Sequence, residues 1–151
     1  MFKSEVSNMV PCYGISKDEE GNYIMVMEFM RKGSLREYLK RNYKELEFYS
    51  NRYTENSKLH FLRQIIQGLK DVHRKKLVHR DFHSRNIIVD NDDKRIISIE
   101  CRITDLGLSK PADETGSSRI YGVLPYVAPE VLRNQPYTQK ADIYSLGIIM
   151  Y

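Results

Sequence analysis

The sequence is poor in several features that mark particular classes of protein. Its only two cysteines, Cys12 and Cys101, lie far apart and in no metal-binding spacing, so two buried free thiols are expected. Free thiols fit a reducing compartment. The longest apolar run, "YIMVM" at 23–27, is far too short to cross a bilayer, and the first ten residues lack the apolar core of a signal peptide. These absences predict a cytoplasmic protein with no membrane partner.

The sequence also lacks a large excess of charge of either sign. The net charge is only +4, with 24 Lys and Arg against 20 Asp and Glu. Nucleic-acid binding would require clustered basic residues interleaved with aromatic ones. The nearest cluster, "HRKKLVHR" at 73–80, instead divides into a helix end and a turn. No nucleic-acid partner is expected, and a composition of 41% hydrophobic and 29% charged residues indicates an ordinary globular domain.

Local patterns predict several secondary-structure elements. Apolar runs on both sides of the turn-prone stretch 17–22 predict a β-hairpin. Ser34 and Glu37 have the spacing of a capping box at the start of a helix. The polar and aromatic stretch 43–57 is expected to be an insertion or a loop. Apolar residues three and four positions apart predict an amphipathic helix over 58–76, with one apolar face that comprises Leu59, Leu62, Ile65, Ile66, Leu69 and Val72.

Four short motifs then follow one another along the chain. They are "HRDFHSRN" at 79–86, "DLG" at 105–107, "APE" at 128–130 and "DIYSLG" at 142–147. Each motif alone is weak, because three fixed letters recur by chance. In this order, after a long amphipathic helix, they resemble the motifs of the eukaryotic protein kinase domain. The resemblance covers nearly the whole chain.

The resemblance implies an α+β fold of the protein kinase type, of which this chain is a fragment. Residues 1–30 would form the end of the N-lobe, with its last strands and the hinge. Residues 31–151 would form the first half of the mainly helical C-lobe, with the insertion at about 43–57.

The resemblance also assigns catalytic roles. Phosphoryl transfer depends on positioning and on neutralising charge. Asp81 would meet the attacking hydroxyl, with Arg80 and Arg85 as further members of the catalytic loop. Asn86 and Asp105 would bind Mg²⁺, because both carry the hard oxygen atoms that this metal prefers.

The stretch "MVMEFMRKGSL" is similar to the strand and hinge that receive the adenine of ATP in kinases. By resemblance, Met27 would be the gatekeeper and Ile88 the floor of the pocket. Backbone groups of Glu28 and Met30 would bond the edge of adenine, and Ser34 is counted in the same site.

Arg80 also predicts a form of regulation. Kinases with an arginine before the catalytic aspartate are usually controlled by a phosphate on the activation loop, which pairs with that arginine. An upstream kinase would then be a partner of this protein. The candidate acceptors are Thr115, Ser117, Ser118 and Tyr121.

The class of acceptor hydroxyl is indicated less clearly. His83 stands where most serine/threonine kinases have lysine, so the catalytic loop resembles the tyrosine-kinase form more. The stretch "GVLPYVAPE" resembles the serine/threonine form, with Val123 in place of the usual threonine. This mixture is typical of the tyrosine-kinase-like group, which mostly phosphorylates serine and threonine.

Other parts of the kinase pattern are missing. The sequence has no G-x-G-x-x-G motif, and Lys3 and Glu5 lie too close together to be the phosphate-pairing lysine and its glutamate partner. The chain is therefore expected to begin behind that pair and to end within the central helix of the C-lobe. We expect such a chain to be marginally folded alone and to have little or no kinase activity.

Three interpretations follow. The first is a segment of a kinase that uses ATP and Mg²⁺ on a protein substrate, since Asp81, Asn86 and Asp105 are all present. The second is a non-catalytic, kinase-like binding or scaffold protein, since half of the ATP site is missing. The third is an incomplete reading of a longer gene. The sequence favours the first.

Overall fold

The computed structural model describes residues 8–48, 54–91, 99–112 and 120–151. Groups of short strands are separated by pairs of helices, which confirms the predicted α+β class. The elements are β1 (Cys12–Lys17), β2 (Tyr23–Met27), β3 (Gly33–Ser34), α1 (Leu35–Phe48), α2 (Thr54–Arg74), β4 (Leu77–Val78), β5 (Ile87–Asn91), β6 (Ile99–Ile103), β7 (Lys110–Pro111), α3 (Pro129–Leu132) and α4 (Gln139–Met150). None of these helices within the described residues has the length and apolarity needed to span a membrane.

The hairpin predicted at the start of the chain is present. Strands β1 and β2 pair antiparallel, with Ile15 opposite Met25. The turn is stabilised by the Asp18 carboxylate, which accepts hydrogen bonds from the backbone and the side-chain amide of Asn22 at 2.8 and 3.0 Å. Cys12 on β1 is exposed, so the expectation of a buried thiol is wrong there.

The main core lies between helix α2 and the sheet formed by β3, β5 and β6. Alternate residues of the two longer strands point towards the helix, so Val89 and Ile103 are buried while their neighbours are not. Cys101 is buried there too, as expected, and burial raises the pKa of its thiol to about 12. Leu69, on α2, is 1% exposed and belongs to the same cluster.

Strand β6 is fastened to α2 by a side-chain amide. Gln64 donates to the carbonyl of Ile99 at 2.8 Å and accepts from the backbone N–H of Cys101 at 2.6 Å. The amide thus supplies the bonds that a neighbouring strand would make. On the same side, the backbone of Asn8 accepts from Ile103 at 2.8 Å. These bonds position the end of β6, from which Asp105 follows.

The start of α1 confirms the capping box. The Ser34 hydroxyl accepts from the Glu37 N–H at 3.3 Å, and the Glu37 carboxylate accepts from the Ser34 N–H at 3.2 Å. The loop expected at 43–57 is wrong for 43–48 and 54–57, which are helical; 49–53 lie outside the described residues, and an insertion at 43–57 stays a prediction. The stretch 44–47 is made of lysine, glutamate and leucine, which have high helix propensity.

The helix α2 is present as predicted, but its apolar face differs. Leu59 and Ile66 are 52% and 45% exposed. The buried stripe comprises Phe61, Ile65, Leu69 and Val72. The predicted face and the buried stripe both have helical spacing and share Ile65, Leu69 and Val72. Periodicity alone does not tell which of the remaining apolar residues meet the sheet.

Two glycines give a matched test of helix packing. A Cβ on Gly68 of α2 would lie 2.8 Å from the carbonyl oxygen of Asn8 and 3.0 Å from Cδ1 of Ile103, whereas one on Gly147 of α4 would meet nothing within 4 Å. We expect Gly68→Ala to lower the free energy of unfolding by about 1–3 kcal/mol through overpacking. Gly147→Ala should raise it by about 1 kcal/mol through helix propensity. Urea unfolding measures both, and equal shifts would contradict the packing at Gly68.

Candidate active site

The catalytic loop, residues 79–86, connects β4 to β5 and is held from below by a buried carboxylate. Asp142, at the start of α4, is 1% exposed. Its Oδ2 accepts from the backbone N–H of His79 at 2.8 Å, and its Oδ1 from that of Arg80 at 3.0 Å. Arg80 has a φ of 72°, a left-handed conformation that costs energy for any residue except glycine. The carboxylate therefore stabilises a strained turn.

The same carboxylate also fixes the end of α2. His73 Nε2 lies 2.8 Å from Asp142 Oδ2. The Gln139 amide donates to the carbonyls of His73 and Leu77 at 2.9 and 3.3 Å. Three segments are thereby joined beneath the catalytic loop. The sequence analysis missed His73 and Gln139, because partners more than 60 residues apart leave no local signal.

Asp81 and Asn86 form one hydrogen-bonded unit. The Asn86 amide donates to the backbone carbonyl of Asp81 at 2.9 Å and to its Oδ2 at 3.3 Å. The carbonyl of Asn86 accepts from the Thr104 N–H at 3.0 Å, which ties the loop to the residue before Asp105. Asp105 has a φ of 59° and accepts from the Gly107 N–H at 3.4 Å. The three predicted site residues therefore belong to one connected backbone unit.

The donor set of Asn86 and Asp105 fits Mg²⁺. The amide nitrogen of Asn86 is bonded to Asp81, so its oxygen is the atom that could coordinate a metal. No cluster of three or more His, Cys, Asp or Glu side chains that could hold a metal occurs in the described ranges. Mg²⁺ commonly uses one or two protein ligands together with substrate phosphates and water, so a larger cluster is not required.

His79 is a buried structural residue of this loop. It is 0% exposed, its Nε2 lies 3.1 Å from the Thr104 carbonyl, and its ring meets that of Phe82 edge-on. Burial lowers the pKa of His79, and the nearby Asp142 carboxylate offsets part of this shift. The unfolded chain therefore binds this proton more readily, so acidification below the ordinary histidine pKa of about 6.5 destabilises the fold.

An ion pair connects two parts of the predicted adenine site, the sheet that carries Ile88 and the residue that follows β2. Ile88 of β5 is half-buried and lies opposite Arg102 of β6, whose guanidinium pairs with the Glu28 carboxylate. The Glu28 N–H donates to the Pro11 carbonyl at 3.0 Å. Met30 is 7% exposed.

Ser34 and Met27 are also assigned to the nucleotide site by the resemblance. Ser34 caps α1, so a role in nucleotide binding remains a prediction. Met27 is half-buried at the end of β2. Arg85 is exposed, and its N–H donates to the His83 imidazole at 3.2 Å.

Arg80 is enclosed by aromatic rings. It is 7% exposed, and its guanidinium carbon lies 5.0 Å from the ring centre of Tyr121 and 4.6 Å from that of Tyr137. The Tyr137 hydroxyl accepts from the Tyr121 N–H at 2.7 Å and donates to its carbonyl, and burial raises the pKa of this hydroxyl. Within the part of the chain that the structure describes, Arg80 Nε is buried without a hydrogen-bond partner.

Of the four predicted phosphate acceptors, only Tyr121 is described; Thr115, Ser117 and Ser118 lie outside the described residues. Tyr137 was not predicted to take part in the site, because no motif connects it to the catalytic loop.

Comparison with known proteins gives one consistent result. The family model for the protein kinase domain matches residues 1–151. The chain is 34% identical over 148 residues to the serine/threonine-protein kinase atg1 of Dictyostelium discoideum, covering 96% of this chain and 20% of that protein. It is 28% identical over 144 residues to the Aurora kinase of Schizosaccharomyces pombe, covering 95% and 36%.

A third relative, the dual specificity protein kinase splA of Dictyostelium discoideum, is 32% identical over 171 residues, which cover 100% of this chain and 7% of that protein. The chain thus spans only a minor part of the length of these relatives.

Proposed function

Because this chain belongs to the protein kinase domain family, we propose that the protein transfers the γ-phosphoryl group of ATP to serine and threonine hydroxyls of other proteins. One observation carries the proposal. The side-chain amide of Asn86 donates a hydrogen bond to Asp81, and the backbone carbonyl of Asn86 accepts one from the residue before Asp105. A base and two metal ligands in one rigid unit are what phosphoryl transfer requires.

The residues would divide the work as follows. Asp81 accepts the proton of the attacking hydroxyl. Asn86 and Asp105 hold Mg²⁺, which neutralises charge on the phosphates when it is bound. Arg85, exposed at the rim of the loop, is available to a protein substrate.

The adenine would lie between the hinge and β5. The carbonyl of Glu28 and the backbone of Met30 bond its edge, and Met27 and Ile88 contact its faces. The Arg102–Glu28 pair holds the hinge next to the strand that carries Ile88.

The class of acceptor is proposed from the sequence motifs and the relatives. Serine and threonine are the main acceptors, since atg1 of Dictyostelium is named a serine/threonine-protein kinase. Tyrosine is a second acceptor, since splA is named a dual specificity kinase and His83 and Val123 depart from the usual serine/threonine pattern. Placement in the tyrosine-kinase-like group rests on the same mixture.

The test is a transfer assay on the natural-length protein, purified from the cells that express it. We expect MgATP-dependent phosphorylation of serine and threonine peptides, with weaker labelling of tyrosine peptides, resolved by phosphoamino-acid analysis. MgATP should also raise the melting temperature, because it binds only the folded state. Stabilisation without any transfer would contradict the enzyme and support the non-catalytic binding protein.

Regulation and location belong to the same proposal. Arg80 is a buried cation with an unpartnered Nε among the described residues, which suits a phosphate from the activation loop. An upstream kinase acting on Thr115, Ser117, Ser118 or Tyr121 would supply it, and phosphatase treatment should then lower the rate in the assay above. A cytoplasmic location fits the two free cysteines.

A further inference from the structure

His83 occupies a fixed position beside the proposed base. It is 6% exposed, and its ring centre lies 5.8 Å from that of Tyr126. Its Nδ1 accepts a hydrogen bond from the backbone N–H of Arg85 at 3.2 Å. A ring nitrogen that accepts carries no proton, so the neutral imidazole has its proton on Nε2. The local backbone thus selects the tautomer that donates from the far side of the ring.

That donor faces the Asp81 carboxylate. His83 Nε2 lies 3.3 Å from Asp81 Oδ1. The contact is not aligned as a hydrogen bond, and Oδ1 is a buried atom without a hydrogen-bond partner in the described part of the chain. Hydrogen bonds of catalytic groups are often long or misaligned before substrate binds and tighten in the complex. A buried acceptor that lacks a bond, with a donor this near, points to such a pair.

The space around Oδ1 leaves little alternative. A Cβ on Gly122 would lie 3.3 Å from Asp81 Oδ1, and Gly122 has a φ of +98°, which favours glycine. The backbone at Gly122 therefore closes one side of the Asp81 carboxylate. Its other oxygen, Oδ2, already receives the Asn86 amide at 3.3 Å.

We propose that His83 is a positioning residue for Asp81, which donates from Nε2 to Oδ1 and fixes the rotation of the carboxylate. This inference rests on the proposed kinase function. Asn86 would then donate to Oδ2 of Asp81 and His83 to Oδ1. These two bonds fix the orientation of the carboxylate, so its remaining lone pairs face the substrate hydroxyl from one direction.

The matched substitutions are His83→Leu and His83→Gln in the natural-length protein. Leucine fills the space but cannot donate, whereas the glutamine amide can donate from nearly the same place and cannot ionise. We expect His83→Leu to lower kcat by about 10²-fold with KM for ATP unchanged, because a misplaced catalytic group costs about that much. His83→Gln should recover most of the loss. His60→Leu, at an exposed histidine of α2, should change neither constant.

Two results would overturn the inference. One is a kcat for His83→Leu equal to that of the wild type; the other is an equal loss in His83→Gln and His83→Leu, which would make the ring a packing group against Tyr126. Unfolding midpoints of both variants separate loss of fold from loss of positioning.

Nitrogen-15 NMR of the histidine side chains at pH 8 tests the contact without any activity. We expect the Nε2–H form for His83 and a changed Nε2 shift in Asp81→Asn. An Nδ1–H form or an unchanged shift would refute the contact. If the wild type transfers no phosphate, the proposed function and the positioning role both fail, while these spectra still decide whether His83 donates to Asp81.

Discussion

Replacing Asp81 with asparagine is expected to lower kcat for phosphoryl transfer by about 10²- to 10⁴-fold, the usual contribution of a general base. Asparagine has nearly the same shape, but its amide cannot take the proton of the attacking hydroxyl. The side chain of Asp81 is 17% exposed, so a substrate can reach it. None of the described hydrogen bonds joins Asp81 to the residues of the proposed adenine site. KM for ATP should therefore stay close to that of the wild type, which separates a loss of chemistry from a loss of binding.

The control for Asp81→Asn is Asp71→Asn. Asp71 lies on α2, where its carboxylate accepts from Gln67 at 3.0 Å and lies 3.9 Å from Arg74. Arg74 is 71% exposed, and ion pairs with one partner so open to water contribute about 0–1 kcal/mol. Asp71 has no part in the proposed mechanism, so this variant should keep the wild-type kcat. Steady-state kinetics with a serine peptide measure both variants. A wild-type rate in Asp81→Asn would remove Asp81 from the mechanism and with it the proposed base.

Local chemistry explains what the sequence predicted correctly. The capping box of Ser34 and Glu37 depends on residues three positions apart, and the hairpin depends on one turn between two apolar runs. Such elements need no knowledge of the rest of the chain. The catalytic loop was recognised from its resemblance to the kinase motif, and in the structure the Asn86 amide does reach the Asp81 carboxylate.

Long-range packing explains what the sequence did not predict. Which residues of the predicted apolar face of α2 are buried, Ile65 but not Leu59, depends on which side of the helix meets β6. Tyr137 reaches Arg80 only because α3 and the turn after it bring the two together. Neither arrangement has a periodic or short-range signature, so pattern analysis finds the helix but not its buried face.

The helical stretches 43–48 and 54–57 show a different limit. A run that mixes aromatic and charged residues lacks a clear apolar period, and it was predicted to be a loop for that reason. Helix propensity and the cap at Ser34 are sufficient to extend α1 to Phe48. Period and propensity are separate signals, and here the second decided the structure.

The second large effect is expected in stability, from Asp142→Ala. This substitution leaves two buried donors without their acceptor, the N–H groups of His79 and Arg80, and it removes the contact with the half-buried ring of His73. Each unsatisfied buried donor costs about 1–3 kcal/mol, so the two N–H groups together should cost about 2–6 kcal/mol. Because a domain has only about 5–15 kcal/mol of stability, much of the protein should be unfolded at moderate urea concentrations.

Asp142→Asn separates the hydrogen bonds from the mere presence of a side chain. Its one carbonyl oxygen can accept from either His79 or Arg80, while its amide faces the other N–H, so about half of the loss should remain. Urea unfolding followed by far-UV circular dichroism measures the series, with Asp71→Ala as a surface control within about 0.5 kcal/mol of the wild type. If Asp142→Ala were as stable as Asp71→Ala, the left-handed turn at Arg80 would hold without its carboxylate. The catalytic loop would then owe its shape to the rings of Tyr121 and Tyr137 instead.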